Sequence, residues 1–160
     1  MTDTDSVIIE LLAGRHPNGQ PVIERLPAVA ADEGNQFWLL QSPVFVSGAA
    51  RGDCIELLKN NPGGFRIRVR CGQLCVRVFS RDPIENIAAE LTPALELLGG
   101  QLDVASPRAL VYSIHVAVGF HDIEAVLNQY VPAATATWSY GNVYNAEGEP
   151  LNWWETLLAP

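Results

Sequence analysis

The side chains best suited to acid–base, nucleophilic or metal chemistry in this chain are three histidines and three cysteines. A hydrolytic nucleophile needs a base beside it and a group that orients that base, and no motif around any histidine supplies them. Cys71 and Cys75 are separated by three residues rather than the two of common zinc knuckles, and no second Cys or His pair lies within reach. We therefore predict no catalytic site, no metal site and no cofactor. We expect no histidine to lie beside another histidine or beside a cysteine; the remaining residues of these types are His16, His115, His121 and Cys54.

Arginines are concentrated between residues 66 and 77. The segment 65–70 alternates apolar residues with arginines, which is the pattern of a half-buried strand. If Gly72 and Gln73 form a two-residue turn, Arg68 stands opposite Arg77 on the next strand, where like charges repel. A bound anion or an acidic partner would relieve this repulsion, and so would a nearby carboxylate or water. The candidate anion-binding residues are Arg66, Arg68, Arg70 and Arg77.

The last third of the chain is acidic and aromatic. No Lys or Arg follows Arg108, whereas Asp and Glu continue as far as Glu155, and three of the four tryptophans lie after residue 137. A uniformly negative field steers a basic partner, and tryptophans are frequent hot spots of interfaces. The alternative is that the paired tryptophans pack back on a sheet as a lid. The candidate partner-binding residues are Trp138, Tyr140, Tyr144, Glu147, Glu149, Trp153, Trp154 and Glu155.

The composition is that of a globular protein. Hydrophobic residues make up 48% of the 160 residues, which is enough to bury the core of one ordinary domain. The net charge of −8 disfavours nucleic-acid binding, which usually requires a basic surface. The N-terminal residues lack the basic and apolar regions of a signal peptide, and no apolar run approaches the ~18 residues of a membrane span. We expect a cytoplasmic protein that binds neither nucleic acid nor membrane.

Short apolar segments separated by turns fill residues 6–80. Asn18-Gly19 is the strongest short hairpin signal, and it lies between strands predicted at 7–12 and 21–26. Further strands are predicted at 36–40, 44–46, 54–58, 65–70 and 74–79. Several short strands with turns every ~8–12 residues indicate a small barrel or curled sheet. We predict a β-barrel-like half at residues 1–73.

The hydrophobic period changes from about 2 to about 3.6 after residue 80. Asp82-Pro83 suits the start of a helix, which we predict over residues 82–98 with a kink or break at Thr92 because Pro93 follows. Strands at 102–104 and 109–118, a helix at 122–130 and a strand at 135–144 come next, and both helices are expected on one face of the sheet. From Leu74 the order is β-α-β-β-α-β, which is the ferredoxin-like order. The predicted fold class is α+β, with a ferredoxin-like half at 74–145 and a Trp-rich acidic tail at 146–160 packed on or near it.

Residues 43–56 carry the pattern P-V-F-V-x-G-x-x-R-G-D-x-I-E. This pattern resembles the barrel segment of an uncharacterised bacterial family, the domain of unknown function number four-two-six-five. The resemblance extends to the helix end at Leu97 to Gly100 and to the aromatic strand Trp138-Ser139-Tyr140, so it covers roughly residues 20–145. The family carries no catalytic assignment. The resemblance therefore implies a fold and a bacterial origin, and no mechanism.

These observations favour a non-enzymatic protein that binds one specific partner. Its sharpest form is a bacterial immunity protein or antitoxin, whose acidic surface occludes a basic surface of a cognate toxin. The alternative is a small-ligand domain that senses an anion or metabolite at the arginines. An enzyme of unrecognised type is the third hypothesis. The toxin hypothesis predicts a toxin-like reading frame beside the gene.

Overall fold

The fold is α+β, with two antiparallel sheets and three helices in the computed structural model, which describes residues 5–158. The first sheet is formed by the N-terminal half of the chain and the second sheet by the C-terminal half. The strands and helices are β1 (Ser6–Arg15), β2 (Pro21–Ala30), β3 (Gln36–Leu39), β4 (Cys54–Leu57), β5 (Phe65–Val69), β6 (Gln73–Ser80), α1 (Glu85–Leu97), β7 (Gln101–Ser106), β8 (Ala109–His115), α2 (Phe120–Tyr130), β9 (Ala136–Tyr140) and α3 (Trp154–Leu158).

The first sheet is an open meander and not a closed barrel. Its strands follow one another in the order β1-β2-β3-β4-β5, and β1 does not pair with β5. The β4–β5 turn meets the edge of β1, where the amide of Leu12 donates to the carbonyl of Gly63 at 2.8 Å. Closure requires strands long enough to tilt around an axis, and β3 and β4 have four residues each. The predicted barrel closure is therefore wrong, and the half forms an open five-stranded antiparallel sheet.

The strand predicted at residues 44–46 does not form. These residues belong to a loop, residues 41–53, that crosses the inner face of the first sheet and contributes Val46 and Ala49 to its core. Backbone amides of the loop donate to the carboxylate of Glu24 instead of to a neighbouring strand. A side chain that satisfies consecutive amides removes the reason for these β-branched residues to join a sheet.

The second sheet has the strand order β7-β8-β6-β9. One face of β6 and β8 carries Leu74, Val76, Leu110 and Tyr112, and these residues form one core with both long helices. That core also takes Ile87, Leu91, Leu95, Ile123 and Leu127 from the helices. The opposite face of β6 carries Cys75 and Arg77 and packs against the loop from the first half. The second sheet therefore lies between α1 and α2 on one side and loop 41–53 on the other.

Two local predictions about the C-terminal half and its junction are wrong. The first long helix is not split at Thr92, because α1 runs continuously through Pro93. Pro93 has no N–H, so the carbonyl of Ala89 lacks its usual donor within the helix. Both residues are exposed, so water can supply the missing hydrogen bond. Gly72-Gln73 is not a hairpin turn, because β5 and β6 belong to different sheets.

Candidate functional site

Loop 41–53 is held between the two sheets by charged side chains from both of them. Arg77 on β6 is 7% exposed, and its guanidinium donates to the carbonyl of Pro43 at 3.2 Å and to the carbonyl of Val46. From the other side, the carboxylate of Glu24 on β2 accepts the amides of residues 44–46 at 2.6, 2.9 and 2.9 Å. Arg77 thus binds carbonyl groups of the loop, and Glu24 binds amide groups of the same loop. We call the contact region around this loop the seam.

A second group of charges extends the seam to β7 and β8. The side chain of Asp103 has no exposed area, and it accepts the amide of Ser42 at 2.8 Å and the hydroxyl of Ser113 at 3.1 Å. Arg51 from the loop donates its Nε to Ser113 Oγ at 2.8 Å and lies 3.6 Å from Asp103. These groups form their hydrogen bonds and ion pair with one another. Such pairing is what allows charged groups to be buried without a large cost in free energy.

Asp53 ends the loop, and its side chain is 1% exposed. Its carboxylate accepts the amides of Ala50 and Cys71 at 3.0 Å each, and the guanidinium of Arg70 lies 3.5 Å away. Burial raises the pKa of Asp53, and the amides and Arg70 oppose that rise. Arg70 also donates to the carbonyl of Gly48 at 2.6 Å. Asp53 and Arg70 therefore hold the second half of the loop, from Gly48 to Asp53, against the residues that follow β5.

The four candidate anion-binding arginines are not brought together. Arg66 and Arg68 lie on the solvent side of β5 and share the carboxylate of Glu56, at 3.2 and 3.9 Å. Arg70 and Arg77 belong to the seam and are engaged there by carboxylate and carbonyl oxygens. Arg68 does not stand opposite Arg77, because their strands are in different sheets. The repulsion between Arg68 and Arg77 that the sequence suggested is thus absent, because the two side chains lie on different sheets and Glu56 pairs with Arg68.

Five aromatic rings form a continuous cluster over α2 and β9. Neighbouring rings meet edge to face, with centroids 5.6 Å apart for Phe120–Tyr140, 5.2 Å for Phe120–Trp154, 5.4 Å for Trp138–Tyr140 and 5.5 Å for Trp153–Trp154. This geometry is favoured by the ring quadrupoles. All five rings are partly buried and pack against the core of the second sheet. The tryptophans are neither a fully buried lid nor free side chains, so one side of the cluster stays accessible.

The cluster is fixed to the seam through Trp153. Its indole N–H donates to the carbonyl of Asn142 at 2.8 Å, and Arg70 lies over its ring with 5.2 Å between the guanidinium carbon and the ring centroid. Asn142 is completely buried, and its side chain accepts the amide of Cys75 and donates to the carbonyl of Gln73, each at 2.9 Å. A cation over an indole face is attractive. The tail is therefore held by Asn142, which is bonded to the start of β6, and by Arg70.

The acids of the tail are exposed to solvent. Residues 143–151 form a hairpin closed by the Tyr144–Pro150 bridge, and Asn145 Oδ1 accepts the amides of Glu147 and Glu149 at 2.9 Å each. Both glutamates are exposed, and Tyr144 is 51% exposed. A cleft of about 240 Å³ separates this hairpin from Ser47 and Gly48 and is lined also by Leu151. We call the surface formed by α2, β9 and residues 142–158 the tail face.

Hydrogen bonds of the tail face stiffen its aromatic residues. Tyr140 donates its hydroxyl to Glu124 at 3.0 Å, and Trp138 donates its indole N–H to Asn128 at 2.9 Å. Burial and the neighbouring Glu124 raise the pKa of Tyr140. Side chains held in this way lose little conformational entropy when a partner binds.

The histidines occupy three separate positions. His16 lies in the β1–β2 turn, His121 lies 3.4 Å from Asp122 on α2, and His115 ends β8 with its Nδ1 accepting the amide of Ala117 at 3.0 Å. His115 also lies against Gly72, where a Cβ atom would stand 2.5 Å from its Nε2. None of the hydrogen bonds found within residues 5–158 joins a histidine to a cysteine.

The cysteine environments do not favour a nucleophile. The thiol of Cys71 donates to the carbonyl of Arg51 at 2.9 Å, and that of Cys75 to the carbonyl of Pro43 at 3.4 Å. Burial raises the pKa of Cys71 and raises that of Cys75 to about 11. A reactive thiol requires the opposite shift, because the thiolate is the nucleophile.

The described part of the chain contains neither a metal-binding cluster nor a membrane-spanning helix. Within residues 5–158, no three His, Cys, Asp or Glu side chains are grouped so that they could hold a metal ion. None of the helices described has the length and apolar character needed to cross a membrane.

The family model described as Domain of unknown function (DUF4265) matches residues 24–139, which is more than half of the chain. The chain belongs to this family. A crystal structure of a hypothetical protein from Neisseria gonorrhoeae is similar in fold, with a TM-score of 0.64 and 16% sequence identity over 86% of this chain and 93% of that one. No protein of curated function is detectably similar. The family match contains the seam from Glu24 to Asp103 and ends before the hairpin of the tail face.

Several residues that organise these regions escape sequence reasoning. Glu24, Asp103 and Asn142 are buried or half-buried polar side chains, and each has a hydrogen-bond partner at least 20 residues away along the chain. The hydrophobic periodicity of a sequence gives no information about such distant partners. Phe120 is the exception, because it begins a helix that the sequence predicted from residue 122, and its aromatic type could have marked it as a member of the cluster.

Proposed function

We propose that this protein is a non-enzymatic binding protein and that its tail face recognises one basic protein partner. The proposal in its sharpest form is a bacterial immunity protein or antitoxin that neutralises a toxin by occluding a basic surface. Toxins that act on anionic substrates carry such surfaces, and an acidic surface is complementary to them.

The observation that carries the proposal is that three exposed acids of the tail face have no cationic partner within residues 5–158. Five ion pairs are found within residues 5–158, and none involves Glu147, Glu149 or Glu155. Glu155 follows the partly buried Trp154 in the chain, and Glu147 and Glu149 lie in the hairpin that also carries the half-exposed Tyr144. Aromatic residues bordered by polar residues resemble the centre and rim of a protein interface. The absence of Lys and Arg after Arg108 leaves the surrounding field negative.

The arginines give less support to the alternative of an anion or metabolite sensor. Arg70 and Arg77 already bind oxygens of the seam, and Arg66 and Arg68 share one carboxylate. An anion at either place would have to displace an existing partner. The raised pKa values of Cys71 and Cys75 likewise give no support to an enzyme that uses a cysteine nucleophile.

We further propose that the C-terminal half is ferredoxin-like and that the protein acts in the cytoplasm. The β-α-β-β-α-β connectivity from β6 to β9 supports the first proposal, as does the strand order in which the first and third strands of the unit are central. The three free cysteines, two of them buried, suit a reducing compartment.

Growth rescue tests the neutralisation proposal directly. The product of the reading frame adjacent to the gene is expressed alone and together with this protein. We expect the adjacent product to stop growth when it is expressed alone, and we expect the pair to restore growth and to co-purify. A harmless adjacent product, or one that stays toxic in the presence of this protein, contradicts the proposal.

The variant Tyr144→Ala tests whether the tail face is the surface that binds the adjacent gene product. Tyr144 is 51% exposed, so its removal should change the free energy of unfolding little while weakening binding by ~2 kcal/mol. Leu97→Ala is the matched control, because Leu97 is 89% exposed and lies on α1, which is not part of the tail face. Equal affinities for the two variants would place the interface elsewhere.

A further inference from the structure

The cleft between loop 41–53 and the hairpin of residues 143–151 is held in shape on both sides by hydrogen bonds. On the loop side, the amide of Gly48 donates to the carbonyl of Gly141 at 2.8 Å, and its carbonyl accepts Arg70 at 2.6 Å. On the hairpin side, the amide of Asn145 donates to the carbonyl of Glu149 at 2.9 Å. A cleft that is already in shape loses little conformational entropy when it binds a second molecule.

The volume of this cleft, about 240 Å³, suits a single side chain. Pockets that take a drug-sized molecule or a cofactor have volumes of ~300–1,000 Å³. The lining combines the aromatic Tyr144 and the aliphatic Leu151 with the polar Ser47 and Asn145. A long side chain with an apolar stem and a polar end matches such a lining.

The carboxylate of Glu149 lies at the border of the cleft. Its Oε1 accepts the side-chain amide of Asn145 at 3.2 Å, and Asn145 lines the cleft. Glu149 takes part in none of the ion pairs found within residues 5–158, and no Lys or Arg is among the lining residues. The cleft therefore presents a carboxylate to a cation that comes from a second molecule.

Arg70 is the cation of the protein that contacts the lining, through its bond to Gly48. Its charge is balanced by the carboxylate of Asp53 at 3.5 Å, and its guanidinium lies over the ring of Trp153. These contacts engage Arg70 in the seam. Arg70 therefore does not neutralise Glu149.

Larger clefts beside the first sheet differ from this one in charge. A cleft of about 410 Å³ is lined by Glu56 together with Lys59 and Arg66, and a cleft of about 350 Å³ is lined by Glu10 together with Arg15. Arg66 already pairs with Glu56 at 3.2 Å. Because both signs of charge are present in each, neither of these clefts selects a binding partner by charge.

We propose that the cleft between loop 41–53 and the hairpin binds the side chain of one arginine of the partner protein. This inference rests on the proposed function, because it names the group of the basic partner that the tail face recognises. A guanidinium can lie over the ring of Tyr144 while it donates to the carboxylate of Glu149. Arginine suits both contacts better than lysine does, since its planar group stacks on aromatic rings and donates in a fork.

Titration of the isotope-labelled full chain with Nα-acetyl-arginine amide, followed by two-dimensional NMR, tests this inference. We expect the amide signals of Gly48, Asn145 and Leu151 to shift, with a dissociation constant in the millimolar range for so small a probe. The uncharged analogue Nα-acetyl-citrulline amide should bind about tenfold more weakly, because it cannot form a charge-assisted hydrogen bond with Glu149.

Variants of the cleft separate its two contacts with the guanidinium. Glu149→Gln should weaken binding of the arginine probe by about tenfold, because it removes the charge and keeps a side-chain oxygen that can accept Asn145. Tyr144→Leu should weaken it by about threefold, because it removes the ring and keeps an apolar side chain. Asp32→Asn is the matched control: it removes one exposed carboxylate between β2 and β3 and should bind the probe like the wild type.

Three results would overturn the inference: amide signals of the cleft that do not shift, equal binding of the arginine and citrulline probes, or equal effects of Glu149→Gln and Asp32→Asn. The titration does not use the adjacent gene product. Its failure is therefore distinguishable from failure of the neutralisation proposal, which growth rescue decides.

Discussion

The seam and the tail face use charged residues in opposite ways. In the seam, Asp53, Arg77 and Asp103 are buried, and each is bound by groups of the protein itself. On the tail face, Glu147 and Glu155 are exposed and take part in none of the ion pairs found in residues 5–158. Burial of a charge requires internal partners, whereas an exposed charge keeps its capacity to bind a second molecule.

This difference separates residues that hold the fold from residues that are available for function. Removing a seam residue leaves polar groups of the loop buried without partners, and this should cost folding stability. Removing an acid from the tail face exposes nothing new and should affect folding little. The predictions below test the division, beginning with the largest expected effect on the free energy of unfolding.

Arg77→Ala should have the largest effect. It removes the buried donor to the carbonyls of Pro43 and Val46 and leaves a cavity between the loop and β6. We expect a loss of ~3–5 kcal/mol in the free energy of unfolding, measured by urea denaturation. Arg81→Ala is the control, because Arg81 is exposed, and should change it by less than ~0.5 kcal/mol. Equal effects of the two variants on the free energy of unfolding would show that Arg77 does not stabilise the fold through the seam.

Glu24→Ala should have the second largest effect. The amides of residues 44–46 lose their shared acceptor, while partial exposure lets water reach Phe45. We expect a loss of ~2 kcal/mol in the free energy of unfolding. Glu10→Ala on β1 is the control, because Glu10 is exposed and should change the same quantity by less than ~0.5 kcal/mol. A Glu24 variant as stable as its control would show that the loop does not need this carboxylate.

The pH dependence of stability should carry the signature of Asp53. Its folded-state pKa is raised by burial, so the folded state binds the proton more tightly than the unfolded state does. The resulting contribution is fully present below the unfolded pKa and is lost as pH rises through the folded pKa. The stability of the wild type relative to Asp53→Asn should therefore improve as pH falls from 7 toward ~4. Denaturation at several pH values measures the difference, and a constant or opposite trend would contradict the raised pKa.

Both long helices and most strands could be predicted from the sequence, because their side-chain periods differ. Ile87, Leu91 and Leu95 recur at helical spacing and form the buried face of α1. Residues 44–46 were predicted wrongly because their β-branched types suit a strand, and the carboxylate that captures them lies 20 to 22 residues away. Local pattern cannot report that contact.

The candidate site was predictable only in part for the same reason. The aromatic and acidic composition of the tail is visible in the sequence, and its rings do lie together. The proximity of Arg70 to Trp153 is not visible, because 83 residues separate them and no motif connects them. Whether Arg68 stands opposite Arg77 depends on whether β5 and β6 share a sheet. A two-residue segment that contains glycine is compatible with either arrangement, so the sequence could not decide this.

The most direct test of the division is the binding of the double variant Glu147→Lys/Glu149→Lys to the adjacent gene product, measured by calorimetry together with thermal melting. Asp32→Lys/Glu33→Lys is the control: it changes the net charge equally at two exposed acids in the first half. The tail-face variant should melt like the control, yet its dissociation constant should rise by about tenfold or more relative to the control. Equal affinities of the two variants would contradict the account, and so would a melting temperature lowered in the tail-face variant alone.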